Sequence, residues 1–207
     1  MTTSPIRLYR HPLSGHAHRA ELMLSLLGLE ADLIEVDLAS GAHKAPDFLA
    51  LNPLGQVPVI QDAAVTLADS NAILVYLARK YDPSGRWYPS DPEAAAAVQR
   101  WLSLAAGPLA SGPAMARIIT VFGVKADADK AKAIAATLLE FMNTHLTNRA
   151  FLVGEGPTIA DVALFSYTAH APEGGVSLDP YPAIQDWIAR IEALPGYVAM
   201  RANPLAA

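Results

Sequence analysis

The spacing of the apolar residues changes once along this chain, and no other feature limits the fold as much. Through the first 80 positions, alternating runs take turns with helical ones. Ile6 and Leu8 alternate with Arg7 and Tyr9, the period-two mark of a strand. Ala20, Met23, Leu24 and Leu27 then share one helical face between about Gly15 and Leu29, and Gly28 can end that helix. Ile34, Val36 and Leu38 alternate with Glu35 and Asp37 as a second strand. Gly41 to Leu54 reads as loop, with a short helical piece near Asp47 to Leu51. Val57 to Gln61 and Val65 to Leu67 make a hairpin about Asp62–Ala64, and Ser70 to Tyr81 is helical. The order β-α-β-α-β-β-α predicts a parallel strand pair with an antiparallel hairpin at its edge.

Past Tyr81 the strand period disappears. A turn-rich stretch, Asp82-Pro83-Ser84-Gly85-Arg86-Trp87-Tyr88-Pro89, reads as a linker. Asp91 can cap a helix that has Pro92 at its first position and carries Trp101, Leu102 and Ala105. Gly107-Pro108 and Gly112-Pro113 should bend or interrupt it. Ala131, Ile134, Ala135, Leu138 and Met142 mark another amphipathic helix. Thr158-Ile159-Ala160-Asp161 approximates a capping box, with Asp where Glu is usual, before a buried helix over Val162 to Tyr167. Tyr181 to Leu194 is a last helix, stopped by Pro195-Gly196. The expected organisation is an α/β domain over 1–81, a linker over 82–91 and an all-helical domain over 92–207.

Composition removes several classes of chemistry. The chain has no cysteine, which excludes disulfides, thiolate metal sites and a cysteine nucleophile. Any thiol chemistry must use a sulfur that arrives with a ligand. The net charge of −5 gives no general attraction to nucleic acid or anionic lipid. The first residues lack the apolar core of a signal peptide, and no apolar run approaches the ~18 residues of a membrane span. The expectation is a soluble, cytoplasmic protein with no membrane or nucleic-acid partner.

Three segments of the first domain invite a chemical reading. Pro12-Leu13-Ser14-Gly15-His16 lies between a strand and a helix start, where backbone N–H groups and the positive dipole end would stabilise an anion. Ser14 is equally an ordinary N-cap, and the two roles are compatible. Asn52-Pro53-Leu54-Gly55-Gln56-Val57-Pro58-Val59 carries a proline inside an apparent strand. A cis peptide before Pro58 would leave the Val57 backbone facing a ligand, and a trans proline on an edge strand is the plainer alternative. Asp69-Ser70-Asn71-Ala72-Ile73 opens a helix whose free N–H groups suit a carboxylate, while Asp69 suits an ammonium. Taken singly it is also just a capped helix. His16 and His18 read as neutral, exposed histidines, and no third ligand nearby makes them a metal pair.

Taken together, these segments resemble the N-terminal, thioredoxin-like domain of cytosolic glutathione S-transferases. The carriers are Leu8-Tyr9 with Pro12 and Ser14, Arg19, Asn52-Pro53-x-Gly55-Gln56-Val57-Pro58, and Leu67-x-Asp69-Ser70-x-Ala72-Ile73-x-x-Tyr76-Leu77. The Thr158-Ile159-Ala160-Asp161 stretch is similar to the capping motif of the family's helical domain. The resemblance implies a thioredoxin-like domain followed by an all-helical one. It implies that Ser14 sits by the glutathione sulfur and that Val57, before a cis Pro58, pairs with the cysteinyl backbone. Asp69 and Ser70 would hold the γ-glutamyl end. His43, Lys44 and Gln56 lie where the glycyl carboxylate is often contacted. Tyr9 is the second choice as thiol activator, and Arg19 would brace the first helix. The absence of cysteine near Ser14 does not fit the deglutathionylating branches or the maleylacetoacetate isomerase branch.

The implied activity is glutathione transfer to an electrophilic small molecule, a detoxification chemistry, with glutathione as co-substrate, no metal, and a homodimer as the assembly. Met115, Arg117, Ile118 and Phe122 could wall the electrophile pocket, and they are also what a buried helix contains. Two other readings stay open. Bound glutathione could reduce peroxides or disulfides, or the fold could persist as a non-catalytic interaction module.

Overall fold

A computed structural model of the chain describes residues 5–203. The chain forms two compact units. One runs to Pro83 and takes in Pro195–Arg201, and the other spans Ser84–Leu194 and takes in residues 202 and 203.

The first unit comprises β1 (Ile6–Arg10), α1 (Gly15–Leu26), β2 (Ala31–Glu35), α2 (Pro46–Leu51), β3 (Val59–Asp62), β4 (Val65–Ala68) and α3 (Ser70–Tyr81). The strands lie in the order β2-β1-β3-β4. β1 runs parallel to β2, and β3 runs antiparallel to both β1 and β4, as the sequence predicts. Alternation sorts the side chains onto two faces. Leu8 and its partner Ile60 are fully buried on one face. Tyr9 and its partner Val59 lie on the other, packed with Val36 and with Phe48 from α2.

Two strands are offset from the expected positions. β2 ends at Glu35, because Asp37 Oδ1 accepts from the amides of Ala39 and Ser40 and turns the chain. Val36 and Leu38 keep their apolar role as loop residues against Phe48. β3 begins at Val59 instead of Val57, which leaves Pro58, with no N–H to donate, outside the ladder. The first helix ends where the sequence predicts, with Leu27 as its C-cap and Gly28 at φ +66° just beyond it.

A carboxylate hub ties α3 to the sheet. Asp62 Oδ2 accepts from Tyr76 Oη (2.8 Å), Lys80 Nζ (2.6 Å) and Tyr81 Oη (2.6 Å). Burial works against the charged carboxylate, but the hydrogen bonds from Lys80, Tyr81 and Tyr76 outweigh it and hold the pKa below its usual value.

The second unit is helical: α4 (Pro92–Leu104), a π-helical segment (Ala105–Ala114), α5 (Met115–Phe122), α6 (Ala128–Leu146), α7 (Ile159–Ala169) and α8 (Pro182–Glu192). The Gly-Pro pairs interrupt the α-helical register, as the sequence predicts, without ending the helix. The path continues, and the hydrogen-bond register widens around Pro108 and Pro113, which have no N–H to give. The outcome is one helical run, Pro92–Phe122, of 31 residues. Its most apolar window has a mean hydropathy of 1.2, so it meets the length and composition of a membrane span that the sequence reading did not find. The run packs against α6 and α7. Gly112 is required there, because a Cβ would come within 2.8 Å of the Ala135 amide nitrogen on α6.

The Thr158–Asp161 capping box is present. Asp161 is buried and accepts from Thr158 N, Thr158 Oγ1, Leu152 N and Trp187 Nε1. Arg117 is fully enclosed on α5 and pairs with Glu173 at 2.8 Å, so it belongs to the interior and not to a pocket wall.

Candidate functional site

The sheet register gathers the three chemical segments of the first unit at one end. β1 runs toward that end and leads through His11–Leu13 to Ser14. The β3–β4 ladder closes at the Val59–Ala68 pair, so Pro58 and Asp69 are the next residues outward on neighbouring strands. Segments far apart in sequence thus meet because strand pairing leaves their ends together.

Ser14 caps α1. Its Oγ accepts from Ala17 N at 3.2 Å, which leaves the hydroxyl proton free to point outward. No acidic residue stands in the first turn of α1, so nothing there offsets the positive end of the dipole. Tyr9 is arranged differently. Its hydroxyl donates to Gln61 Oε1 at 2.9 Å, and its ring stands edge-on to Phe48 on the face that α2 covers.

The Val57–Pro58 peptide is cis. The Val57 backbone lies beyond the start of β3. The loop before it is held from two sides. Asn52 Nδ2 donates to the Gln56 carbonyl at 2.8 Å, and Lys44 Nζ donates to the carbonyls of Leu54 (3.0 Å) and Gly55 (3.1 Å). Gly55 has φ +59°, and a Cβ there would strike the His43 carbonyl at 2.7 Å. His43, Lys44 and Gln56 therefore cluster about one loop. His43 Nδ1 is shielded from solvent and has no hydrogen-bond partner among the described residues.

Asp69 caps α3, accepting from Ala72 N at 2.9 Å. Its φ of +71° lies where a residue with a side chain is strained by roughly 1–3 kcal/mol, an expense that clusters at ligand sites. Ser70 is buried, and its Oγ accepts from Arg19 Nη1 at 3.1 Å. Arg19, itself buried, also approaches His16 Nδ1 at 3.0 Å. Ser70 Oγ lies 3.4 Å from the same nitrogen. The starts of α1 and α3 are thus joined through His16, Arg19 and Ser70.

The histidines correct the sequence reading. His18 is buried, and its Nε2 meets the Val198 carbonyl at 2.8 Å. His16 is neutral, as expected, but it is partly buried: burial, and then the adjacent Arg19 charge, push its pKa from 6.5 to about 3. The two rings serve different partners.

Two family models match this chain: "Glutathione S-transferase, N-terminal domain" over residues 4–79 and "Glutathione S-transferase, C-terminal domain" over residues 89–195. Glutathione S-transferase 3 of Zea mays is 33% identical over 205 residues, covering 94% of this chain and 92% of that protein. The crystal structure of a glutathione S-transferase from Pseudomonas fluorescens superposes with a TM-score of 0.89 at 34% identity, over 96% of this chain and 100% of that one. A glutathione transferase homologue from Drosophila mojavensis, solved with bound glutathione, gives 0.85 at 27% identity, over 98% of this chain and 92% of its own. With both family models matched across most of its length, the chain belongs to the glutathione S-transferase family.

Proposed function

We propose that this protein binds glutathione at the sheet end described above, stabilises its thiolate, and transfers it to an electrophilic small molecule. The observation that carries the reading is the meeting of Ser14, the off-ladder Val57 and the Asp69–Ser70 cap at one end of the sheet. In this assignment Ser14 donates its proton to the sulfur, and the start of α1 adds its dipole. The Val57 backbone pairs with the cysteinyl residue. Asp69 takes the γ-glutamyl ammonium, with a carboxylate able to accept more than its single cap bond. Ser70 and the start of α3 take the neighbouring carboxylate. The Lys44 ammonium keeps a third proton beyond the two carbonyls it holds, and with His43 and Gln56 it receives the glycyl carboxylate. Ser14 is preferred to Tyr9 because the tyrosine proton is already given to Gln61.

Catalysis then rests on holding the nucleophile as thiolate near neutral pH and placing it against its acceptor. The test is calorimetry with glutathione, joined to titration of the bound thiol. Ser70→Ala and Asp69→Ala should each weaken binding about tenfold, ~1.4 kcal/mol. Ser14→Ala should raise the bound thiol pKa by about one unit, and Tyr9→Phe should leave it unmoved. No binding by the wild type would refute the reading. Assays across electrophiles, peroxides and disulfides identify the acceptor class, and sedimentation tests the homodimer that completes the proposal.

A further inference from the structure

Ser70 is the anchor assigned to the γ-glutamyl carboxylate, and its hydroxyl is not oriented by its own helix. A serine hydroxyl has one proton to donate and two lone pairs. Ser70 Oγ uses a lone pair to accept from Arg19 Nη1 at 3.1 Å. Its proton then needs an acceptor, and His16 Nδ1 stands 3.4 Å away. The same imidazole nitrogen receives Arg19 Nη1 at 3.0 Å. Arg19 is 1% exposed.

We propose that His16 is a positioning residue for the γ-glutamyl carboxylate: its Nδ1 is the shared acceptor that fixes the Arg19 guanidinium and holds the Ser70 hydroxyl in one rotamer, its proton turned toward the start of α1. The inference rests on the glutathione reading above.

The geometry explains how such an acceptor would work without obstructing the ligand. At 3.4 Å the Ser70–His16 contact is at the long limit of a hydrogen bond. A carboxylate offers a shorter, charge-assisted bond and draws the proton away. His16 therefore keeps the hydroxyl aimed while the site is empty and releases it when the carboxylate arrives. The contact to Arg19 is the firmer one, and it persists in both states. An acceptor at Nδ1 requires the neutral ring with its proton on Nε2. The depressed basicity of His16 agrees with that form, because a protonated ring would set N–H against N–H at Arg19.

The variants are His16→Leu, which removes the acceptor, and His16→Asn, whose side-chain oxygen can take the place of Nδ1. Each is measured for glutathione affinity by calorimetry, for kcat and KM, and for the pKa of the bound thiol. We expect His16→Leu to weaken glutathione binding and raise its KM about fivefold. kcat at saturation and the thiol pKa should stay unchanged, and His16→Asn should recover most of the loss. The preference for glutathione over cysteinylglycine, which lacks the γ-glutamyl residue, should fall in His16→Leu by the same factor. In the Ser70→Ala background the His16→Leu change should have no further effect. If His16→Leu does not fold, the His16→Asn and Ser70→Ala double-mutant comparison carries the test. A His16→Leu protein that binds as the wild type does overturns the inference, as does one that loses glutathione and cysteinylglycine activity equally. A shifted thiol pKa would place His16 at the sulfur and overturn it too. A wild type that does not bind glutathione brings down the underlying reading and this inference with it.

Discussion

At the scale of single residues, burial decides which side chains carry a pH dependence. His16 titrates near 6.5 in the unfolded chain and near about 3 in the folded one. Between those values the unfolded state binds more protons. Stability is therefore complete above about pH 6.5, falls as the pH drops, and levels off below about 3. At pH 5 the loss from this one group is about 2 kcal/mol. Urea unfolding at pH 7 and pH 5 should show that loss in the wild type, and His16→Asn should remove most of it. The caps of this site were legible in the sequence because they obey local rules: Ser14 and Asp69 each precede a helical pattern by one position. The partnership of His16 with Ser70 was not, because 54 positions separate them and nothing in the local pattern links them. His18 was misread as exposed for the same reason, since its partner Val198 lies 180 positions away.

At the scale of elements, the period rule found the strands and α-helices that position the site but not the 3-10 turn at Ala42–Lys44 that carries His43 and Lys44, and it erred where a side chain overrides the period. Asp37 ends β2 before the alternation of Val36 and Leu38 does, and Pro58 delays β3. The Gly-Pro pairs interrupt the α register, as expected, without ending the helix. A proline inside a helix usually breaks it, yet here the helix absorbs two by widening its turn. The two glycines of that segment then have opposite roles. Gly107 faces open space, whereas Gly112 lies against the α6 backbone at Ala135. Gly112→Ala should lower stability by about 1–3 kcal/mol through overpacking. Gly107→Ala should be neutral or stabilising by about 0.5–1 kcal/mol, because alanine restricts the unfolded chain. Thermal melts of the two variants side by side check this, with the pair differing in sign or at least clearly in size.

At the scale of the whole molecule, the change of period along the chain separates a sheet-and-helix unit from a helical one, but it does not reveal that the chain returns. Pro195–Arg201 belongs to the first unit. His18 holds it through the Val198 carbonyl, and Gly196, at φ +86°, passes so close to α1 that a Cβ would lie 2.7 Å from the Ser25 carbonyl. Gly196→Ala should destabilise the protein by about 1–3 kcal/mol, read as a lower midpoint in urea. The same return governs what can be inherited. A hybrid that joins residues 1–83 of this protein to the remainder of a relative never receives its first unit from one parent, because the closing segment comes from the other. The contact at His18 tolerates such a cross, since any donor supplies a main-chain carbonyl. The approach at Ser25 is less forgiving: a donor without glycine at the equivalent of Gly196 contributes a tail that seats at the same cost as Gly196→Ala. Part of the compatibility between parents is therefore written at a codon more than a hundred positions downstream of the crossover.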